Sequence, residues 1–261
     1  MNNQISVIVP CFNNEKTINR AIQSILNQSV KPKEIIIVDD KSKDKTIENV
    51  KKIQEENNSQ KITLIELKEN YGAANARNIG WDHAKTNYIA FLDADDTWHH
   101  RKIELQLSFM LNNPHADLSG HAMELYSEKK IINHKEVFFR KISKTHLLLK
   151  NKFPTPSVML KRSIPIRFKK NQRYSEDYLL WLQIIHNNYQ CYFCNQILAF
   201  VHKPFYGSGG LSANLSEMQK HEIGNYKSLL NEKFISTPTF ILASTLSYLK
   251  YTKRLILNST K

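Results

Sequence analysis

The stretch YIAFLDADDTWHH, from Tyr88 to His100, runs from apolar residues directly into three carboxylates. Its apolar part has the length and composition of a buried strand, and Asp93, Asp95 and Asp96 follow where that strand ends. Carboxylates this close repel one another unless a cation or a full set of hydrogen bonds compensates them. The stretch therefore predicts a strand that delivers a polar site at its carboxyl end.

Alternating strands and helices precede this stretch. The apolar and periodic runs predict strands at 5–9, 33–40, 61–67 and 88–92, with helices within 13–28, 41–57 and 73–85. This β-α-β-α-β-α-β order with short connections predicts a parallel sheet covered by helices on both faces. Ligands of such sheets bind at the carboxyl ends of the strands. Pro10, Asp39, Asp40, Asp93 and Asp95 all lie at those ends, which predicts a nucleotide-type pocket.

The composition is that of a globular protein with an unusual charge. The 261 residues are 41% hydrophobic and 23% charged, but the formal net charge is +13. This charge favours an anionic partner, which could be a nucleic acid, a phosphorylated substrate or an acidic membrane surface; a basic surface that serves only solubility is the alternative. Neither a signal peptide nor an apolar run of membrane-spanning length is visible. We therefore expect a cytoplasmic protein.

Three cysteines allow no complete set of disulfide pairs. Cys191 and Cys194 form a CYFC motif, but no second CxxC or His pair accompanies it as a zinc site would require. The aromatic residues between them indicate a strand with small buried thiols. We predict neither a metal nor a redox role for these cysteines, and we expect a reducing compartment.

Five sequence blocks occur in a characteristic order. They are SVIVPCFNNE, IIIVDDKSKDKT, NYGAANARNIG, FLDADDTW with Lys102 and Glu104 following, and SEDYLLW. Together they resemble family 2 glycosyltransferases of the GT-A fold, which are inverting enzymes that use nucleotide sugars. The resemblance extends from residue 5 to about residue 200, and within the family the chain is similar to enzymes that build bacterial surface polysaccharides such as O-antigen and capsule.

The resemblance implies an α/β fold with a Rossmann-like, mostly parallel sheet flanked by helices. Residues 1–225 would form the GT-A catalytic domain. Within it, 1–100 would bind the nucleotide sugar and 101–225 the acceptor. Residues 226–261 would form a basic, amphipathic C-terminal helical segment.

The family pattern also assigns the donor site. Asp95 would contact a divalent metal, Mn²⁺ or Mg²⁺, and Asp93 would contact the ribose and belong to the same metal site. Hard carboxylate oxygens suit these ions, and a metal on the diphosphate stabilises the charge of the leaving group. Such a cation would compensate the crowded carboxylates.

The remaining nucleotide contacts follow from the same pattern. Asp39 would bond the uracil edge, with Asp40 as its structural neighbour, and Pro10 would shape the loop beneath the base, on which Phe12 could stack. Arg77 would lie near the nucleotide; a surface arginine on a helix is the alternative.

One position departs from the family. Glycine usually follows the Asp pair, but this chain has Lys41, which puts the loop geometry there in question.

The catalytic base would come from SEDYLLW. Asp177 aligns with the family's general base, and Glu176 would bind the acceptor or support the loop. Acidic residues are also favoured in the first turn of any helix, so a structural role is the alternative for both. His202 would be a further metal ligand; a loop histidine without a special role is the alternative. The glycine-rich loop that follows it could close over the diphosphate.

Basic residues are concentrated in the middle of the chain. From Ser127 to Arg173 there are fourteen Lys or Arg against two Glu. This charge favours an anionic acceptor, a polyprenyl-diphosphate-linked glycan at an acidic membrane surface. The apolar segment Phe234–Leu257, with its tyrosines, lysines and arginine, predicts peripheral contact with the cytoplasmic face of the inner membrane. A packed C-terminal helix or a homodimer contact is the alternative.

Three other classes compete with this interpretation. A sugar nucleotidylyltransferase should have a glycine-rich phosphate loop after the first strand, where this chain has PCFNNE. A non-catalytic nucleotide-sugar-binding module is also compatible with the motifs, although all the acidic positions are present. A nucleic-acid-binding protein would explain the charge, but no recognised motif of that class accompanies it, and we predict no nucleic-acid partner.

Overall fold

The structure is a computed structural model that describes residues 4–127, 136–203 and 214–259. Its strands are β1 (Ile5–Cys11), β2 (Glu34–Asp39), β3 (Ile62–Glu66), β4 (Tyr88–Phe91), β5 (Thr97–Trp98), β6 (Leu118–Leu125), β7 (Phe139–Lys141), β8 (Met159–Lys161) and β9 (Cys191–Val201). Its α-helices are α1 (Ile18–Leu26), α2 (Thr46–Glu56), α3 (Ala73–His83), α4 (Lys102–Asn112), α5 (Lys144–Leu149), α6 (Glu176–His186), α7 (Leu215–Asn231) and α8 (Thr237–Ser259). A short 3₁₀ turn covers Thr155–Ser157.

The first four strands form the predicted parallel sheet. Their spatial order is β3-β2-β1-β4, and β1 pairs in parallel with both β2 and β4. The chain builds outward from β1 to β3 and then crosses to the other side of β1 to place β4. The strand ends of β1 and β4 therefore flank a topological switch point, where such sheets bind ligands.

Proline does not end the first strand. The sequence predicted that the strand stops at Pro10, but β1 continues to Cys11, and Pro10 lies opposite Val38 of β2. The ladder between β1 and β4 ends at Ile8, and the Leu92 N–H donates to the Ile8 carbonyl. Since alternate residues of a strand face the same neighbour, the missing N–H of Pro10 points to the side where β4 has already ended. No ladder hydrogen bond is lost.

The second half of the chain makes the sheet mixed. The order continues from β4 as β8-β6-β9-β5, with β7 paired to β9. Here β6 and β9 pair in parallel. The other pairings are antiparallel: β4 with β8, β6 with β8, β5 with β9 and β7 with β9. Among the described residues, the predicted parallel arrangement thus covers β1 to β4, and mostly antiparallel pairings extend it.

Helices cover both faces of the sheet, as predicted. One face packs against α1, α2 and α4, and the other against α3, α5 and α6, with α7 and α8 behind them. In α1 the buried residues Ile18, Ala21, Ile22 and Ile25 repeat at helical spacing. Burial of such a stripe is what holds a nine-residue helix in place, because short isolated helices are marginal in water.

The cysteines are buried free thiols. Cys191 and Cys194 lie on β9, and Cys11 lies at the end of β1. Burial raises the pKa of Cys194 to about 11, so this thiol is protonated at neutral pH. The CYFC motif is therefore part of a strand, as the sequence indicated.

The C-terminal segment consists of two helices. The helix α7 contains residue 225, so the expected division between catalytic domain and tail falls within a helix that continues to Asn231. Pro238 is the second residue of α8, where proline is well tolerated. Within the described ranges, no helix is long and apolar enough to cross a membrane.

Candidate active site

A cavity of about 780 Å³ opens at the carboxyl ends of β1, β2 and β4. The start of α3 and the start of α6 close its sides. Its polar and aromatic lining includes Phe12, Asp40, Tyr71, Arg77, Asp93, Asp95, Arg173, Glu176 and Lys203. Loop residues that follow three different strands therefore meet residues from the second half of the chain.

Arg77 connects the two halves of the site. It lies on the buried side of α3, and its guanidinium donates to the Asp93 Oδ1 at 2.7 Å and to the Glu176 Oε1 at 2.9 Å. The guanidinium also lies 5.4 Å from the centre of the Phe168 ring. Its side chain is 6% exposed. The alternative of a surface arginine is therefore wrong.

The charge of Arg77 is secured by its partners. Burial works against the charged form, but the carboxylates of Asp93 and Glu176 outweigh it and raise the pKa of Arg77. The side-chain amide of Asn78, the next residue of α3, exchanges two hydrogen bonds with the backbone of Phe168. This exchange holds the 168 segment against α3, so the aromatic ring under the guanidinium is held in place.

Asp95 has a different partner. Its carboxylate accepts a hydrogen bond from the Lys203 ammonium, and its carbonyl accepts one from Arg20 at 2.8 Å. Burial opposes the charge of Lys203, but Asp95 outweighs it and raises the pKa of the ammonium. Arg77 thus compensates the charge of Asp93, and Lys203 compensates that of Asp95.

Asp96 is the uncompensated member of the cluster. It is buried, and burial together with the charges of Asp93 and Asp95 raises its pKa to about 9. A carboxyl group with this pKa carries a proton at neutral pH when no further cation is near. The cluster therefore still has capacity for positive charge, which a bound cation would fill.

The two predicted catalytic carboxylates start α6 and face different surroundings. Glu176 lines the cavity and is paired with Arg77. Asp177 is half-buried beside the cavity lining, with Oδ2 accepting from the Thr155 hydroxyl at 3.3 Å and Oδ1 accepting from the Tyr178 N–H at 2.7 Å. Burial and the neighbouring Glu176 raise the pKa of Asp177 to about 7. This is the range in which a general base works best.

The turn before α6 is strained. Ser175 has a φ of 51°, in the left-handed region that side chains other than glycine disfavour. Its carbonyl accepts from the Asn225 side chain at 2.8 Å, so α7 helps to hold this conformation. Such conformations concentrate where a site needs a side chain aimed in a particular direction. Here the residues that follow are Glu176 and Asp177.

The Asp39 and Asp40 pair is arranged differently from expectation. Asp39 is 1% exposed and does not line the cavity. It accepts from the Ser42 N–H at 2.8 Å. Asp40 does line the cavity, and its two oxygens accept from the N–H groups of Tyr71 and Gly72, each at 2.7 Å. The uracil role of Asp39 stays a prediction, and the geometry directs attention to Asp40.

Lys41 adopts the conformation for which the family uses glycine. Its φ is 68°, in the left-handed region. An L-residue pays about 1–2 kcal/mol there. Two contacts hold the turn: Asp39 accepts a hydrogen bond from the Ser42 N–H, and Lys41 pairs with Glu69 at 2.8 Å. The loop therefore keeps the glycine-type geometry although the residue is lysine.

His202 lies near Asp95 but is engaged elsewhere. Its Nε2 is 2.9 Å from the Thr97 hydroxyl, and its ring stacks on Tyr126 at 4.7 Å. With Asp95 it lines a second cavity of about 460 Å³. Its role as a metal ligand stays a prediction, and the glycine-rich loop that follows, at 204–213, lies outside the described residues.

The carboxylates fit a divalent cation as a partial ligand set. In the described part of the chain, no three His, Cys, Asp or Glu side chains are arranged to hold a metal by themselves. Mg²⁺ and its analogues commonly take one or two carboxylates and complete their shell with substrate phosphates and water. Asp93 and Asp95 are each 29% exposed at the cavity, so their oxygen atoms suit that arrangement.

Several cavity residues escaped sequence analysis. Lys203 follows the predicted His202 directly, but nothing in the sequence indicates that it pairs with Asp95. Tyr71 and Asn171 line the cavity from loops whose sequences show no periodic pattern. Only the presence of Tyr71 within the block NYGAANARNIG could have drawn attention to it.

Comparison with known proteins identifies the family of the chain. Residues 6–179 match the family Glycosyl transferase family 2. The UDP-Glc:alpha-D-GlcNAc-diphosphoundecaprenol beta-1,3-glucosyltransferase WfgD of Escherichia coli is 34% identical over 184 residues, 70% of each chain. The putative teichuronic acid biosynthesis glycosyltransferase TuaG of Bacillus subtilis is 40% identical over 120 residues, 46% of this chain and 47% of that protein.

Solved structures share the fold. The mannosyltransferase PcManGT of Pyrobaculum calidifontis, in complex with GDP-Man and Mn²⁺, superimposes with a TM-score of 0.72 at 17% identity, covering 98% of this chain and 75% of that one. S. aureus TarS 1-349 in complex with UDP-GlcNAc gives a TM-score of 0.68 at 20% identity, covering 87% and 67%. The chain therefore has the GT-A fold and belongs to glycosyltransferase family 2.

Proposed function

We propose that this glycosyltransferase is an inverting, metal-dependent hexosyltransferase that moves a sugar from a UDP-sugar to a hydroxyl of a lipid-diphosphate-linked glycan. One observation carries the proposal. Arg77 bonds both Asp93, at the donor end of the cavity, and Glu176, which precedes Asp177. A donor-site carboxylate and Glu176, the residue before the candidate base, are thereby held at one cavity.

The nucleotide would bind between aromatic side chains. Phe12 and Tyr71 line the cavity and are 44% and 48% exposed, so their rings are available to a flat base. Asp40 is the carboxylate that faces the same space. Arg77 and Lys203 would lie near the diphosphate, where positive charge stabilises the departing anion.

Asp95, with Asp93, would hold Mn²⁺ or Mg²⁺. When bound, the ion would neutralise the charge that develops on the leaving diphosphate. Lys203 must then release Asp95, and its ammonium would be free to approach the phosphate oxygens. A glycosyltransferase structure with the same fold was determined with Mn²⁺, which supports this assignment.

Asp177 would act as the general base. The acceptor oxygen forms the new bond to the anomeric carbon while the bond from that carbon to the diphosphate oxygen breaks, and the hydroxyl proton passes to the Asp177 carboxylate. A single displacement of this kind inverts the configuration and needs one base on the face opposite the leaving group. The raised pKa of Asp177 and its bond from Thr155 support this role.

The acceptor class is inferred from relatives and from charge. The name of WfgD specifies a diphosphoundecaprenol acceptor, and the name of TuaG assigns it to teichuronic acid biosynthesis. The excess of lysine and arginine between 127 and 173 suits a diphosphate group, although 128–135 lie outside the described residues. We accordingly place the enzyme in bacterial surface-polysaccharide synthesis, in peripheral contact with the cytoplasmic face of the inner membrane.

A donor-hydrolysis screen tests this function. Purified protein is incubated with UDP-, GDP-, CMP- and dTDP-sugars in the presence of Mn²⁺, Mg²⁺ or EDTA, and nucleotide release is measured. We expect slow, metal-dependent release of UDP from one donor and its loss in Asp95→Ala. Failure to bind or hydrolyse any nucleotide sugar would refute the proposal.

A further inference from the structure

The outward face of α8 is apolar. Six large side chains lie on it, each between 42% and 65% exposed, and we call them the α8 stripe: Ile241, Leu242, Tyr248, Leu249, Leu255 and Ile256. They form two rows at a spacing of seven residues, so they share one side of the helix. The stripe is about 22 Å long at 1.5 Å per residue.

The other side of α8 packs on the protein through both apolar and polar residues, and Phe240 lies against the core there. The side of α8 that faces the protein carries Ala243 and Ser247, both buried. Ser247 bonds Gln219 at 3.0 Å and Glu222 at 2.8 Å on α7, and Lys250 donates to the Leu149 carbonyl. These polar contacts and the packing of Ala243 against the core hold α8 in a rotation that leaves the apolar stripe outward. A contiguous apolar surface of this kind marks an interaction site.

Charge identifies the partner. From Lys233 to Lys261 the sequence contains five Lys or Arg and no Asp or Glu, and Lys253 is exposed beside the stripe. A second copy of the chain would bring an equal excess of positive charge to the contact, whereas anionic lipid headgroups attract it. Tyr248 has the amphipathic ring that favours the interface between headgroups and hydrocarbon.

We propose that the α8 stripe docks on an acidic lipid bilayer, with α8 lying in the plane of the interface. This inference deepens the proposed function, because it would bring the active site to the surface where a lipid-linked acceptor is held. The docking itself requires no nucleotide sugar and can be measured without one.

Vesicle binding by the full chain tests the proposal. Co-sedimentation is measured with phosphatidylcholine vesicles, with and without about 30 mol % phosphatidylglycerol, a content chosen to give a negative surface potential. We expect binding to the acidic vesicles that falls as salt rises. Leu249→Ser should weaken it about tenfold, the loss expected for one large apolar side chain, and Lys253→Glu should weaken it on acidic vesicles. The matched control is Leu125→Ser, at a leucine on β6 that is 46% exposed against 62% for Leu249, and it should bind as the unmodified protein does.

The outcomes separate this proposal from the proposed function. Equal binding by Leu249→Ser and the unmodified protein, or no binding to acidic vesicles, overturns the docking surface. A concentration-dependent dimer that Leu249→Ser dissociates also overturns it, because the occupant is then a second copy. Donor hydrolysis in solution should be unchanged in the α8 variants. Vesicle binding without any nucleotide-sugar hydrolysis would leave the surface in place and refute the proposed function instead.

Discussion

Replacing Asp177 by Asn should slow transfer by about 10²–10⁴-fold and stabilise the folded protein at pH 8. The carboxylate is half-buried next to Glu176, and burial and that neighbouring charge raise its pKa from 3.8 to about 7. A charged Asp177 is therefore a cost that the folded state carries at alkaline pH. Asparagine has nearly the same shape and no charge, so it removes that cost and with it the base.

The magnitude follows from the pKa interval. The folded carboxyl binds its proton more tightly than the unfolded one, so this group's contribution to stability is fully present below pH 3.8 and is lost as the pH rises through about 7. The folded pKa lies about three pH units above the unfolded one, at about 1.4 kcal/mol per unit. The substitution can therefore raise the free energy of unfolding by at most about 4 kcal/mol. Each kcal/mol corresponds to about 2–4 °C in the melting temperature of a chain of this size.

Thermal melting at pH 5 and pH 8 checks this expectation. The gain in melting temperature for Asp177→Asn should be large at pH 8 and smaller at pH 5, while kcat falls by about 10²–10⁴. The matched control is Glu176→Gln, which weakens a buried ion pair with Arg77 and should lower stability at pH 8. An equal gain at both pH values, or near-normal turnover by Asp177→Asn, would refute the reasoning.

Three further perturbations have expected outcomes. Arg77→Met leaves two partly buried carboxylates unpaired and should cost about 3–5 kcal/mol of unfolding free energy in urea denaturation; a loss below 1 kcal/mol, on the scale of an exposed pair, would contradict the described geometry. Gly80→Ala places a Cβ 2.5 Å from the Ile8 side chain and should destabilise the protein by about 1–3 kcal/mol. Gly224→Ala has open space around it in α7 and should stabilise the protein by about 0.5–1 kcal/mol. A change of the same sign in the free energy of unfolding for both variants would contradict this. Lys203→Met frees Asp95 and should tighten Mn²⁺ binding to the nucleotide-free protein, measured by electron paramagnetic resonance; unchanged or weaker binding would show that the ammonium does not compete with the metal.

The first four strands and the helices between them were predictable because their signals are local. Buried parallel strands are continuous apolar runs, and the helices between them repeat at 3.6 residues, so the β1–β4 order follows from the sequence. The strands β5, β7 and β8 are two or three residues long. Segments that short have no periodicity to detect, and their pairing with distant strands decides their conformation.

The sequence by itself determined which chemical groups this protein has: carboxylates at strand ends, an acidic pair that starts a helix, and a basic chain. It also determined the parallel half of the sheet, because burial of apolar runs acts on neighbouring residues. Only the tertiary structure decided which side chains pair with one another. Arg77 meets Glu176 across 99 positions of the chain and Lys203 meets Asp95 across 108, and the direction in which α8 faces depends on polar contacts with α7. Such pairings depend on how separate elements pack, and no local pattern in the chain encodes them.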